Sequence, residues 1–193
     1  MKFAVIDLEY FSLSNAKSSF KNLVKFKKIL YPEIFQLGCI QFSTKSKKKI
    51  KTNLYFKTYQ KIPKRLIKLT KITQEFLNNN GDIFSKRIKK IIPILKKKNI
   101  FLSNGDDLKI IKMNYKRFIK KKIGINVKFI NLRKILGDTD TEFYFKKSEK
   151  SKRAHNAIED CEILIKVFKK YLKNKDIKEI KKIIEKNIEF IEF

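Results

Sequence analysis

Carboxylates are scarce in this chain, where 19 aspartates and glutamates stand against 48 lysines and arginines, so each acidic cluster is informative. Asp7 and Glu9 lie at the end of an apolar run, residues 3–8, that predicts a buried strand. Alternate residues of a strand share a face, so both carboxylates can converge on one point, where they would repel each other without a cation. Hard divalent cations prefer such oxygen ligands. Taken alone, the pair is a weak signal for a metal site, and a polar strand end that faces water is the favoured explanation.

A second acidic pair, Asp106-Asp107, follows another short apolar run at residues 100–102. A helix is predicted from about residue 106 to residue 121, so its first-turn carboxylate would lie beside neighbouring strand ends. Aspartate at a helix start is also favoured by capping and by the helix dipole. The pair is therefore a candidate metal ligand or a helix cap, and on its own the pattern favours the cap.

The only histidine, His155, precedes Asp160 by five residues at the predicted start of a long amphipathic helix. A lone histidine is more often structural or on the surface. Here it lies between a lysine-rich segment and a helix start, where a base could reach a bound substrate. Imidazole titrates near neutral pH, which suits it to take a proton from water.

The elements that must position these residues follow from hydrophobic periodicity and turn residues. Strands are predicted at residues 3–8, 34–42, 53–57, 100–102 and 127–130, with a lysine-rich hairpin turn at 45–49. Helices are predicted from Pro63, at 70–77, at 83–97 with a kink at Pro93, at 106–121, at 156–172 and from 176 to the end. Loops are predicted at 12–19, 78–82 and 139–153. This order predicts an α/β fold with a mixed β-sheet of about five strands flanked by α-helices.

The formal charge of +29 predicts attraction to polyanions, of which nucleic acid is the usual one. The excess is mostly lysine in a chain also rich in Ile, Asn and Phe, so a composition bias on solvated faces explains it equally well. No apolar stretch is long enough to span a bilayer, and the N-terminal apolar run is too short for a signal sequence. We therefore expect a cytoplasmic protein with no membrane partner, in which Cys39 and Cys161 are reduced, buried thiols.

Together these motifs resemble the DEDDh exonucleases, such as the proofreading epsilon subunit of bacterial DNA polymerase III, oligoribonuclease and ribonuclease T. His-Asn-Ala-x-x-Asp at residues 155–160 follows an Asp-x-Glu on the first strand and an aspartate that opens a helix. Residues 32–38 resemble the family's second strand, and residues 69–75 resemble its Leu-Thr-Gly-Ile-Thr segment. The order and spacing agree from residue 3 to about residue 172.

The sequence departs from the family pattern at three points. Tyr10 replaces the usual Thr or Ser after the glutamate, which puts a contact to the terminal nucleotide in doubt. Lys71 replaces the usual Gly, and a positive φ there would strain a lysine. The central motif is compressed, so either Asp106 or Asp107 could be the ligand. We favour Asp107 because apolar residues follow it as they do in the family.

The resemblance implies an RNase H-like fold and a metal-dependent 3′–5′ exonuclease that releases nucleoside 5′-monophosphates from DNA or RNA. Asp7, Glu9, Asp107 and Asp160 would hold two divalent ions, Mg²⁺ or Mn²⁺, while His155 acts as general base. Alternatives are a catalytically idle nucleic-acid-binding module of the same fold and an RNase H-like endonuclease. Single-stranded 3′ ends are the expected partner, and any polymerase would be a separate chain.

Substrate contacts and domain limits are the remaining expectations. In the family, apolar residues near the first motif stack on terminal bases, which makes Leu8, Tyr10 and Phe11 candidate substrate-binding residues; core or rim positions fit them equally well. Basic residues at 146–153 could hold the phosphate backbone or form a solvated loop. We expect an exonuclease domain at residues 1–175. An amphipathic helix at 176–193 would pack on the same domain or on a second subunit of a homodimer.

Overall fold

The computed structural model describes residues 1–11, 32–44, 46–97, 99–120, 122–137 and 155–193. Six strands form one mixed sheet in the order β3-β2-β1-β4-β5-β6. Their bounds are β1 Lys2–Tyr10, β2 Ile34–Ser43, β3 Ser46–Tyr55, β4 Ile100–Ser103, β5 Asn126–Asn131 and β6 Glu189–Glu192. Strand β4 is parallel to β1 and β5, whereas β2, β3 and β6 pair antiparallel with their neighbours.

Helices cover both faces of this sheet. Their bounds are α1 Lys64–Thr70, α2 Gln74–Asn80, α3 Phe84–Arg87, α4 Ile92–Lys96, α5 Asp107–Ile119, α6 Ala157–Leu172 and α7 Ile177–Asn187, with a further helical segment at residues 132–137. None of the helices in these described ranges is long and apolar enough to cross a membrane. The predicted mixed α/β fold is confirmed, with six strands in place of about five.

Strand β1 is buried because it contributes to the core on both faces of the sheet. Phe3 and Val5 pack under α6 and α7, while Ala4, Ile6 and Leu8 pack under α3, α4 and α5. Alternation of side chains along a strand explains this division. Both cysteines are free and buried, as predicted. The carboxyl end of β1, which carries Asp7 and Glu9, therefore lies between two packed layers.

The hairpin turn is shorter than the sequence predicts. Strand β2 ends at Ser43 and β3 begins at Ser46, so the lysine run expected in the turn at 45–49 lies largely within β3. Strand β3 is at the edge of the sheet, where lysines can keep their charged ends in water and discourage pairing with other chains. Lys49 and Lys51 also form ion pairs with Glu162 of α6. The prediction was wrong because it took lysine content as a turn signal.

The sequence analysis predicted a helix from residue 176 to the end of the chain, and this prediction was wrong for the last residues. Helix α7 stops at Asn187, and β6 then pairs antiparallel with β5, which places Ile191 opposite Val127. The amide of Phe193 donates to the carbonyl of Ile125 at 2.9 Å. A run this short carries too little periodicity to separate helix from strand, and the open edge of β5 decides the outcome. The segment thus completes the sheet.

Smaller differences lie in the helical region before β4. The helix predicted at 70–77 begins later, at Gln74, after a cap formed by Thr73. It extends to Asn80, into residues predicted to form a turn. The helix predicted at 83–97 is divided into α3, a 3₁₀ turn and α4, with Pro93 in the first turn of α4, where its missing N–H costs nothing. The loop predicted at 12–19 and the segments at 139–153 and 146–153 lie outside the described residues.

Lys71 ends α1 in the left-handed conformation, with φ 62° and ψ 10°. Its amide donates to the carbonyl of Ile67 at 2.8 Å, which closes the helix. Glycine is the residue that adopts this conformation without strain. The positive φ considered from the sequence is therefore present, and a lysine occupies it.

We expect Lys71→Gly to stabilise the protein by about 1 kcal/mol, because it relieves the left-handed backbone. For a chain of this size that gain corresponds to a rise in Tm of about 2–4 °C, measurable by calorimetry. Lys71→Ala removes the same charge but keeps a Cβ, and it should give no such gain. An equal rise for both variants would attribute the effect to the charge and contradict the backbone explanation.

Candidate active site

Three of the predicted site residues bring their ligand atoms to one point. A carboxylate oxygen of Glu9, an imidazole nitrogen of His155 and a carboxylate oxygen of Asp160 all lie within 4.8 Å of one another. Glu9 and Asp160 are 9 % and 6 % exposed. Buried carboxylates this close repel each other, which is costly unless a cation or a proton compensates. The cluster is therefore a candidate metal centre.

The second acidic pair meets this cluster through Asp107. Burial, together with the charges of Asp160 and Asp107, raises the pKa of Glu9 to about 8. Burial is also the main reason that the pKa of Asp107 lies well above its usual range. Asp106, at the N-cap of α5, is exposed and pairs with Lys109 at 2.7 Å. These observations favour Asp107 over Asp106 as the ligand.

Asp7 lies two residues before Glu9 on the same face of β1 and is half-buried. Asp7 is not among the residues whose ligand atoms lie within 4.8 Å of one another. Its charge nevertheless affects the pKa of a neighbouring side chain. Burial raises the pKa of Cys161 well above its usual range, and Asp7 is the largest of the charges that add to this rise. Cys161 lies one residue after Asp160 on α6, so Asp7 faces the start of that helix.

Gln36 connects the start of α6 to the sheet. This side chain is fully buried on β2, where its Nε2 donates to Asn156 Oδ1 at 3.3 Å and its Oε1 accepts from the Ala157 amide at 3.3 Å. The same Nε2 contacts Asn53 Oδ1 and the Tyr55 hydroxyl on β3, at 3.1 and 3.4 Å. Because Asn156 and Ala157 follow His155 directly, Gln36 is a positioning residue for the histidine and for Asp160.

The same helix start comes so close to β2 that there is space only for a glycine. A Cβ built on Gly38 would lie 2.5 Å from both the carbonyl carbon and the oxygen of Ala157. The Cys161 thiol contacts the carbonyl oxygens of Val5 and Gly38 at 3.6 and 3.5 Å. The close approach of the two backbones and the small side chains between them therefore allow Asp160 to lie next to Glu9.

The backbone of His155 is held by the end of α1. Its amide donates to the carbonyl of Leu69 at 3.0 Å. This carbonyl belongs to the last turn of α1, where carbonyls lack a partner within the helix. On the other side, the Asn156 side chain caps α6 by accepting from the Ile158 amide at 3.1 Å. His155 thus bridges the end of one helix and the start of another.

The exonuclease family model RNase_T matches residues 4–168, which include every residue of this cluster. The chain belongs to this exonuclease family. The family resemblance drawn from the sequence motifs is thereby confirmed, and the six-stranded mixed sheet agrees with the RNase H-like fold expected for the family. No curated protein sequence matches the chain with significance.

Solved structures with a similar fold include two exonuclease I structures. The zinc-bound complex of E. coli exonuclease I with single-stranded DNA is 15% identical, and exonuclease I from Methylocaldum szegediense is 13% identical. Each covers 60% of this chain, with a TM-score of 0.47. The chain spans only 24% and 23% of their respective lengths, so it corresponds to about a quarter of those proteins.

The three candidate substrate-binding residues occupy different environments. Leu8 is 6% exposed and packs in the core on the face of the sheet opposite Glu9. Phe11 is 8% exposed and meets Phe35 edge to face at 5.7 Å. Tyr10 is half-buried, and burial followed by the charges of Asp107 and Asp7 raises its pKa. Of the three, Tyr10 is the residue beside the carboxylates, and the roles of all three stay predictions.

The sequence analysis did not identify some of the polar residues around the candidate active site. Gln36 was noted only as part of a motif, although a polar side chain within an apolar strand run signals a buried hydrogen-bond network. Arg133 lies close enough to Asp107 and Tyr10 to lower the pKa of both, opposing the larger effect of burial. Asn104 Oδ1 is buried without a hydrogen-bond partner among the described residues. It lies two residues before the acidic pair in the sequence.

We expect the stability of the metal-free protein to fall as the pH rises from 5 to 8. The pKa of Glu9 is 4.5 in an ordinary environment and about 8 here, so in this window the folded protein holds a proton that the unfolded chain has lost. Stability is then lost progressively with rising pH, by on the order of 2–4 kcal/mol. Urea denaturation of chelator-treated protein measures it. Glu9→Gln cannot ionise and should flatten the slope; an unchanged slope would refute the assignment.

We expect Gly38→Ala to destabilise the protein by about 1–3 kcal/mol, because the new methyl group must push the start of α6 away from β2. Gly105→Ala is the matched control, since a Cβ there meets no atom within 4 Å. Urea denaturation compares the two. Equal stability of both variants would mean that the close contact of α6 with β2 is not a constraint.

Proposed function

We propose that the protein is a metal-dependent 3′–5′ exonuclease that releases nucleoside 5′-monophosphates from DNA or RNA. The observation that carries the proposal is the convergence of Glu9, His155 and Asp160 within 4.8 Å, with Asp107 in electrostatic reach. These residues come from distant parts of a chain whose family is one of exonucleases. Buried acids with raised pKa values beside a histidine are typical of a catalytic centre.

The donor set fits hard divalent cations, and Mg²⁺ or Mn²⁺ is the proposed cofactor. Asp7, Glu9, Asp107 and Asp160 would hold two such ions through carboxylate oxygens. Bound there, the ions would supply charge compensation for the attacking and leaving oxygens of a phosphodiester. The raised pKa of Glu9 supports this, because a buried carboxyl that resists ionisation alone is one that a cation would stabilise in its charged form.

The chain's own residues would contribute positioning and proton transfer. His155 is half-buried, and its backbone is fixed by Leu69 and by the adjoining cap of α6. Its imidazole would take a proton from the attacking water, since it lies beside the carboxylates that orient the reacting group. Tyr10, next to Glu9 on β1, would contact the terminal nucleotide. Water would attack the phosphorus and the P–O3′ bond would break. The phosphate stays on the 5′-oxygen of the departing nucleotide, and the shortened strand keeps a 3′-hydroxyl.

The charge of the protein supports a nucleic-acid substrate. With a net charge of +29, the surface attracts the phosphate backbone over about a Debye length, while the site itself is an acidic centre. A polyanion would thus be drawn to the protein but repelled from the metal-free site. We propose single-stranded 3′ ends as the substrate, because a terminus reaches a site of this kind with least obstruction.

The decisive experiment compares matched DNA and RNA oligonucleotides with free or blocked 3′ ends, with Mg²⁺ or with chelator. We expect a ladder of stepwise shortening from the free 3′ end only, and no cleavage with chelator. Asp160→Asn and His155→Ala should each lower the rate by roughly 10²–10⁴-fold while binding persists. Glu159→Gln is the matched control, because it alters an exposed acid beside Asp160 and should leave the rate unchanged.

The other outcomes distinguish the alternatives. Internal cuts that ignore a blocked 3′ end would indicate an RNase H-like endonuclease. Binding without any cleavage in Mg²⁺ or Mn²⁺ would indicate an idle nucleic-acid-binding module. Full activity of His155→Ala would contradict the general-base role of the histidine. Activity in the presence of chelator would contradict the metal dependence.

A further inference from the structure

A row of aromatic rings runs from the core to the surface beside α5. The fully buried Phe56 ring lies 5.2 Å from that of Phe84, and Phe84 lies 5.4 Å from Phe118 of α5. Tyr59 ends the row, stacked on Phe118 with their ring centres 5.7 Å apart and the rings 16° from parallel. Tyr59 is nevertheless 79% exposed. Its outer face is therefore open to solvent in the part of the chain that the structure describes.

The backbone of this exposed tyrosine is held by a buried carboxylate. Glu33 is 2% exposed, and its two oxygens accept from the amides of Tyr59 and Gln60 at 2.8 and 3.1 Å. The Thr58 hydroxyl donates to the carbonyl of Gln60 at 2.8 Å. A buried carboxylate is costly without hydrogen bonds, so these contacts oppose movement of the loop. A ring fixed in this way loses little conformational entropy when a ligand stacks on it.

Cations accompany the exposed ring. Lys57 and Lys61 are exposed, two residues before and two residues after it. The guanidinium carbon of Arg117 lies 5.9 Å from the centre of the Phe118 ring beneath. The core of a protein–protein interface is depleted of charged residues, which argues against a protein as the partner. An aromatic face beside cations is what single-stranded nucleic acid binds, because its bases stack and its phosphates are anionic.

The exposed ring lies at the same end of the sheet as the carboxylate cluster but at a distance from it. Tyr55, the last residue of β3, is in the same row across the sheet as Glu9, and Tyr59 follows it closely in the chain. Along α5, Phe118 is eleven residues from Asp107, or about 16 Å at 1.5 Å per residue. Nucleotides of one stacked strand are about 3.4 Å apart, so about five of them span this distance.

We propose that Tyr59 is a second contact for single-stranded nucleic acid, in which its outer face stacks on an unpaired base about five nucleotides from a 3′ end held at the carboxylates. The placing of the 3′ end rests on the proposed exonuclease function, whereas the stacking does not. Phe118 supports the ring from beneath, and Lys57 and Lys61 meet the phosphates beside the stacked base. A strand too short to span the two contacts uses the carboxylate site alone.

The first test measures binding of an unstructured strand of about 12 nucleotides to the full chain in chelator, where no cleavage is expected. Tyr59→Ala should weaken binding at least roughly fivefold, and Tyr59→Phe should keep it because the ring remains. Neither substitution changes the charge, so the salt dependence of the affinity should stay the same, which separates stacking from the diffuse attraction of a +29 chain. Phe190→Ala is the matched control, because it removes an exposed ring from β6 at the other edge of the sheet.

A second test detects the stacking directly. The chain contains no tryptophan, so Tyr59→Trp introduces a single fluorophore whose emission a stacked base should quench. The proposal is overturned if the strand saturates this variant without changing its emission, if Tyr59→Ala binds as tightly as the unaltered protein, or if Phe190→Ala weakens binding as much. With Mg²⁺, Tyr59→Ala should slow shortening of the long strand at low concentration and leave that of a dinucleotide unchanged. Absence of all cleavage would refute the exonuclease function and leave the binding results to decide the stacking.

Discussion

The contact between the first turn of α6 and strand β2 is the constraint on which the rest of the site depends. Gln36 and Gly38 provide it, one by hydrogen bonds to Asn156 and Ala157 and the other by having no side chain. The contact brings a histidine and an aspartate from late in the sequence against carboxylates from its first strand. Their mutual repulsion pushes the helix outwards, and the buried hydrogen bonds and the packing of α6 oppose it.

Because packing must oppose the repulsion between the carboxylates, much of the core lies close to the acidic residues. The apolar side chains of β1 pack on both faces of the sheet, so the strand that carries Asp7 and Glu9 cannot move to relieve the repulsion. Asp107 begins α5, which is held by the buried Leu108 and Ile111. A rigid core therefore stores the cost of gathering buried acids, which is a common arrangement where pKa values are shifted for function.

The fold class and the proximity of Glu9, His155 and Asp160 could be predicted from the sequence because they rest on local patterns. The Asp-x-Glu strand end, the helix-opening aspartate and the histidine before α6 each occupy a few neighbouring residues. The assignment of β6 could not be predicted, since its pairing with β5 is made far along the chain and its own pattern is too short. The lysine run of β3 was misread because only its position at the sheet edge explains it.

The hydrogen-bond network around Gln36 could not be predicted from the sequence for a related reason. A glutamine within an apolar strand signals a buried network, but its partners lie 17, 19 and 120 residues away, and only the folded chain identifies them. Likewise, the preference for Asp107 over Asp106 rested on the apolar residues that follow it. Burial and the ion pair of Asp106 with Lys109 supply the physical basis that the sequence lacked.

The candidate site combines residues of β1 with residues at the start of α6, which has a consequence for partly folded molecules. Under the proposed nuclease function, a molecule that cut nucleic acid while partly folded would threaten the polymers around it. Here, fraying of α6 alone would separate Asp160 from Glu9, and what remained would be an isolated acidic patch on a strand. The proposed nuclease activity would thus arise only when the tertiary structure is complete, so that misfolded or partly degraded copies would be inactive.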